Sequence, residues 1–203
     1  MHYPAFFDLV PRVRMHDPLA EFLGAFEGGI VEYAYIDAVR LAGHSCPTVA
    51  GAYWLTRQAL LGLYPDALPE RGGVHVSFRD SRVAGVTGVI ANVVALLTGA
   101  TVDSGFKGLA GRFDRRKLLA FDSDQPLEIR FTRVDTGAAV DAAAAMRQVP
   151  ADPRMPALMQ RCLSGEATLD EAGEFRQLWQ ERVRRALLEH GNDPEVFVVR
   201  PVV

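Results

Sequence analysis

The sequence predicts an α+β fold: an antiparallel or mixed sheet packed against helices, with a helical arm at the C-terminal end. Three observations predict it. Strand-like and helix-like segments come in clusters, not in the strict alternation of a doubly wound parallel sheet. Residues 127–144 hold two apolar-alternating runs joined by Asp135-Thr136-Gly137, a turn between adjacent strands. From residue 151 onward helix-start and helix-stop signals dominate, with one short strand-like run at Val196–Val199. Residues 1–150 are therefore expected to form the α+β core, and residues 151–203 a helical arm or subdomain.

The elements follow in order. Asp17-Pro18 is an N-cap acceptor followed by proline, so a helix should start there. Leu19, Phe22, Leu23 and Phe26 would be its apolar face and Gly28-Gly29 its stop. Residues 30–36 alternate, with Val31, Tyr33 and Tyr35 on one side, which suits a strand. Asp37 can cap a brief helix over Ala38–Ala42 that ends at Gly43. Pro47, with no N–H to donate and a preset φ, opens a longer helix to about Leu63, with Cys46 at its N-cap. Val74–Phe78 reads as a strand. Asp80 or Ser81 can cap an almost wholly apolar helix that ends at Gly99. The small residues Ala84, Gly88, Ala91 and Ala95 line one side of that helix and match Ala50-Gly51 as a close helix–helix contact. TVDSGFKGLAGR (101–112) reads as a shaped loop, and strands are expected near 113–121, 127–134 and 138–144. Asp152-Pro153 starts a helix that ends before Gly165. Thr168 with Glu171 forms a capping-box pattern for another, which presents Phe175, Trp179 and Val183 on one face.

The chain has 203 residues, 49% of them hydrophobic, enough for one sizeable core. A formal net charge of −3 gives no reason to expect nucleic acid or an anionic membrane as partner. Two cysteines exclude a disulfide framework, and Met1–Arg14 lacks the pattern of a signal peptide. The apolar run Val83–Leu97 is broken by Gly85, Thr87, Gly88 and Asn92 and falls short of a bilayer span, so a cytoplasmic protein is expected. The unpartnered face of Phe175 and Trp179 raises the expectation of a homodimer.

The chemistry centres on Gly43-His44-Ser45-Cys46-Pro47-Thr48. The start of a helix gathers unpaired N–H groups and the positive end of the dipole, and both favour a thiolate there. His44, two residues earlier, can turn its imidazole toward the same point. A nitrogen and a sulfur donor so placed suit zinc or another late transition metal. His75, Asp80, Asp103 and water are candidates to complete the shell. Lys107 and Arg79, with the backbone of the glycine-rich loop, suit a small anionic ligand. Cys162, between Met159 and Leu163, reads as a core residue. There is no Walker motif, no Gly-x-Gly-x-x-Gly and no Gly-x-Ser-x-Gly elbow, so nucleotide binding and serine hydrolysis are not expected.

GHSCPTVAGAY (43–53) resembles the Gly-His-x-Cys-Pro motif and following small-residue helix of the FmdE family, which takes its name from a component of formylmethanofuran dehydrogenase. The similarity continues through LLTGAT (96–101), SGFKGL (104–109) and the strand pair beyond, covering roughly residues 37–145 in family order. The resemblance implies an α+β core, a metal or thiol site at the His-x-Cys turn and commonly a homodimer. It further implies a role accessory to metalloenzyme or one-carbon chemistry. The chain departs from the family in three places. Leu41-Ala42-Gly43-His44 stands where Phe-His-Gly-His is commoner, and Val89 lies near the place of a frequent cysteine. No Cys-x-x-Cys pair follows Cys46, so the C-terminal zinc ribbon of many members is missing. An enzyme is the alternative expectation, with Cys46 as nucleophile, or a metal-bound water, acting on an anionic substrate held by Lys107.

Overall fold

The computed structural model describes residues 2–202. The fold is α+β, with six α-helices and two sheets among those residues. The smaller sheet is an antiparallel pair, β1 (Val13–His16) and β2 (Ile30–Tyr33). The larger sheet joins β3 (Val74–Phe78), β4 (Leu119–Ala120), β5 (Ile129–Arg133), β6 (Ala139–Ala144) and β7 (Phe197–Pro201) in the order β4-β3-β5-β6-β7. Only β3 and β4 run parallel, so the sheet is mixed.

The centre of the molecule is α3 (Pro47–Leu63), which packs across β5, β6 and β7. Its apolar residues run round the whole cylinder, as a helix surrounded by protein requires. Val49, Ala50, Tyr53, Leu55, Ala59 and Leu60 are all buried. Beside it lies α4 (Thr87–Thr98), whose Ala91, Val93, Val94 and Leu97 enter the same core. α3 and α4 pack side by side, but Ala84 lies outside α4 and Gly88 faces the Arg82 carbonyl. Gly51 likewise faces Met146 and Ala144, not α4.

On β3 the side chains of Val74, Val76 and Phe78 go into the core, and strand alternation sends His75 and Ser77 to the opposite face. That outer face carries the row Ser77, Arg130, Asp141 and Arg200 across four strands. Within it, Arg130 pairs with the Asp141 carboxylate at 2.7 and 2.9 Å.

Several boundaries differ from those expected. The first helix, α1 (Pro18–Phe22), spans five residues and ends at Leu23, leaving Phe22, Leu23 and Phe26 exposed. Tyr35 belongs to α2 (Tyr35–Ala42), not to the preceding strand. The Asp37 carboxylate accepts the Ala34 N–H at 2.9 Å from the third helical position. Asp80 and Ser81 precede an irregular turn, and α4 begins only at Thr87. Residues 113–118 form no strand, because Phe113 and Lys117 adopt positive φ values of 64° and 59° that break the pleat.

In the C-terminal part, α5 (Met155–Ser164) and α6 (Leu169–Leu188) pack against each other, and α6 also packs on α3. Val183, Ala186 and Leu187 of α6 lie in the common core, and β7 completes the sheet. No helix among the described residues is long and apolar enough to cross a membrane.

Candidate functional site

Helix α2 ends at Gly43, whose φ of 74° is the left-handed conformation that glycine adopts without penalty. This turn swings the chain into His44-Ser45-Cys46 and then into α3. His44 is exposed, and its Nδ1 lies 2.9 Å from the Ala42 carbonyl. A carbonyl only accepts, so Nδ1 carries a proton, and in the neutral ring Nε2 keeps its lone pair. Fixing one ring nitrogen on a backbone carbonyl is how proteins commonly orient an imidazole that ligates through the other.

Cys46 is the N-cap of α3. Its sulfur accepts the Val49 N–H at 3.4 Å, taking up one of the unpaired donors of the first turn. It is 9% exposed, less than the partial exposure typical of reactive thiols. The residue between them, Ser45, holds the motif in place. The Tyr35 and Ser45 hydroxyls are 2.9 Å apart, and the Ser45 carbonyl accepts from Trp179 Nε1 at 3.0 Å and Gln180 Nε2 at 3.2 Å. Tyr35 is itself clamped edge-on between Phe7 and Tyr53, and burial pushes its phenol far up. The motif is thus tied to the N-terminal turn Ala5–Leu9, α2 and α6 together. The sequence points to His44 and Cys46 as chemically distinctive. Ser45, Trp179 and Gln180 carry no such signal, since their roles are set by contacts more than 130 residues apart.

The remaining expected site residues are dispersed. His75 is half-buried on the face of β3 away from α3, where loss of water lowers its pKa. Asp80 is exposed after β3, and Arg79 Nε reaches its carboxylate at 3.4 Å. Lys107 and Asp103 are exposed on the loop after α4, which is anchored by hydrogen bonds from Thr101 N to Arg115 O and from Arg115 N to Phe106 O.

The loop bearing Lys107 springs from the C-terminal end of α4, whereas Asp80 lines a cleft with Val86 and Thr87 at its N-terminal end. Neither Lys107 nor Arg79 lines any of five cavities formed by the described residues, so the expected anion pocket built from the two does not appear among them. Nor do His75 and Asp80 join His44 and Cys46. Among the described residues no group of three or more His, Cys, Asp or Glu side chains is disposed to hold a metal ion. Cys162 is also not a core residue; it is partly exposed and lines an apolar groove.

A shallow cleft of about 140 Å³ opens beside the first turns of α3, lined by Thr48, Gly51, Val86, Ile90, Glu128 and Met146. It shares Val86, Ile90, Glu128 and Ile129 with a neighbouring cleft of about 240 Å³ that reaches Asp80 and Thr87. Glu128 stands where the two meet, its Oε2 accepting the Ala144 N–H at 3.2 Å. Strand alternation places it on the polar side of its run, which hides its position at the cleft. The chain matches no protein-family model, and no curated protein matches it.

Proposed function

We propose that this chain binds zinc or another late transition metal through His44 Nε2 and the Cys46 sulfur. In this reading it is an FmdE-like accessory protein, serving metalloenzyme or one-carbon chemistry. The observation that carries the reading is the tie of His44 Nδ1 to the Ala42 carbonyl, which leaves the other nitrogen free on an exposed ring two residues from a helix-capping cysteine. A closed zinc site uses four protein ligands and a catalytic one three. Two protein donors would leave the other coordination positions to water or to a ligand from elsewhere. The residues fit a soft or borderline cation, since imidazole and thiolate favour late transition metals over magnesium or calcium.

The test is titration of the metal-free protein with Co(II), following the thiolate-to-cobalt charge-transfer absorption, together with zinc content by mass spectrometry. One metal per chain is expected, with the charge-transfer band lost in Cys46→Ser and binding at least tenfold weaker in His44→Ala. Equal, negligible binding in all three forms would overturn the reading. The second reading, Cys46 as a nucleophile, draws on the sulfur's place at the helix N-terminus. It predicts alkylation of Cys46 by iodoacetamide at a rate that metal does not change. Light scattering on the same samples tests the expected homodimer.

A further inference from the structure

Between the N-terminal turn, α2 and the paired helices α5 and α6 lies a groove of about 610 Å³. That volume is within the range of small-molecule sites. Its walls are apolar and aromatic: Phe7 and Val39 on one side, Met159, Leu163, Phe175 and Trp179 on the other. Phe175 and Trp179 stand 5.6 Å apart between ring centres, and the indole N–H is already committed to the Ser45 carbonyl. The rings therefore offer the groove their carbon faces. Leu163 is 77% exposed and Met159 40%, so this apolar surface faces water in the single chain.

The charged residues on the lining are all of one sign. Arg40 and Arg176 line the groove and no Asp or Glu does. Arg40 is held by Asp37 at 3.1 Å, while Arg176 forms no ion pair among the described residues. A two-fold pairing with Arg176 near its axis would bring the guanidinium groups of two copies together, which disfavours that arrangement of a homodimer on this face. An apolar groove bordered by an exposed arginine that has no ion-pair partner among the described residues matches an amphiphile with an anionic head.

We propose that this groove binds a single-chain aliphatic carboxylate, its hydrocarbon lying against Phe175 and Trp179 and its carboxylate at Arg176. The proposal does not depend on the metal reading, although Ser45, between His44 and Cys46, also lines the groove. Octanoate, decanoate and dodecanoate, each below its micelle threshold, are titrated into the full chain. Trp179 fluorescence is the signal, with Trp54, which packs on Phe197 in the core, as the constant background. One ligand per chain is expected, each added methylene tightening binding by about fourfold. Arg176→Gln, a change at an exposed position, should weaken dodecanoate at least fivefold and leave dodecanol unchanged. Saturating dodecanoate should also slow alkylation of Cys162, identified by mass spectrometry. Absence of saturable binding, or equal binding of dodecanol and dodecanoate, would overturn the proposal. So would protection of Cys162 that rises with protein concentration alone while the molecular mass doubles, which would mark the groove as an interface between copies.

Discussion

Asp17 accepts the Leu19 and Ala20 N–H groups at 3.0 and 3.1 Å and also pairs with Arg115 at 2.7 Å and Arg71 at 3.1 Å. Arg115 is 5% exposed, with its Nη1 buried and unpartnered, and it occupies the space a side chain at Gly72 or Gly99 would fill. Arg71 Nη2 donates to Leu96 O, near the carbonyl end of α4, where the helix dipole favours a cation. Removing the carboxylate leaves two guanidinium groups without their counter-ion, one of them buried. Asp17→Ala should therefore cost about 3–5 kcal/mol in urea unfolding. Burial pushes the Asp17 carboxyl up, but the Ala20 N–H, Arg115 and Arg71 outweigh it and hold the group below the ordinary carboxylate range. A depressed folded value means that its contribution is complete above about pH 4 and is lost as pH falls through that lower value. Stability should fall less steeply below pH 4 in Asp17→Asn than in the wild type. The capping role was legible, because Asp17 and Pro18 are neighbours. The pairing with Arg115 was not, because it joins residues 98 positions apart and no local pattern marks it.

At the scale of elements, α6 shows where local chemistry and packing divide the work. Its start is exposed, with Leu169 at 90%, and relies on the capping box: the Thr168 hydroxyl accepts Glu171 N–H at 3.2 Å and the Glu171 carboxylate accepts Thr168 N–H at 2.8 Å. Its far end is held by burial of Val183, Ala186 and Leu187. Thr168→Ala should thus destabilise by about 1 kcal/mol and speed amide exchange in the first turns, leaving exchange near Val183 unchanged. Elements with strong punctuation were readable in this way: α3 from Cys46-Pro47, α6 from its capping box, β5 and β6 from alternation around a turn. Those that failed had misleading signals. Asp80 and Ser81 look like caps, yet Gly85 at φ 49° lies between them and α4. A strand is expected near 113–121, yet only Leu119 and Ala120 pair.

For the whole molecule, the C-terminal quarter is bound into the core at several points. Trp54 Nε1 donates to the Gly191 carbonyl, Gln58 reaches Asn192, and β7 lies beside β6 over five paired residues. A chain ended at Pro150 would expose β6 as an edge and uncover Trp54 and much of α3. Such a chain should give neither a cooperative thermal transition nor dispersed amide resonances. The α+β class was legible because it depends on how elements cluster along the chain. The setting of the His-x-Cys turn was not, because it depends on which distant helix closes over it. That closure also has a timetable. The Ser45 carbonyl waits for Trp179, 134 residues downstream. At about 5–20 residues per second of synthesis, the turn exists for roughly 7–27 s before the helix that secures it has been made. A motif near the start of the chain is therefore among the last parts of the protein to be finished.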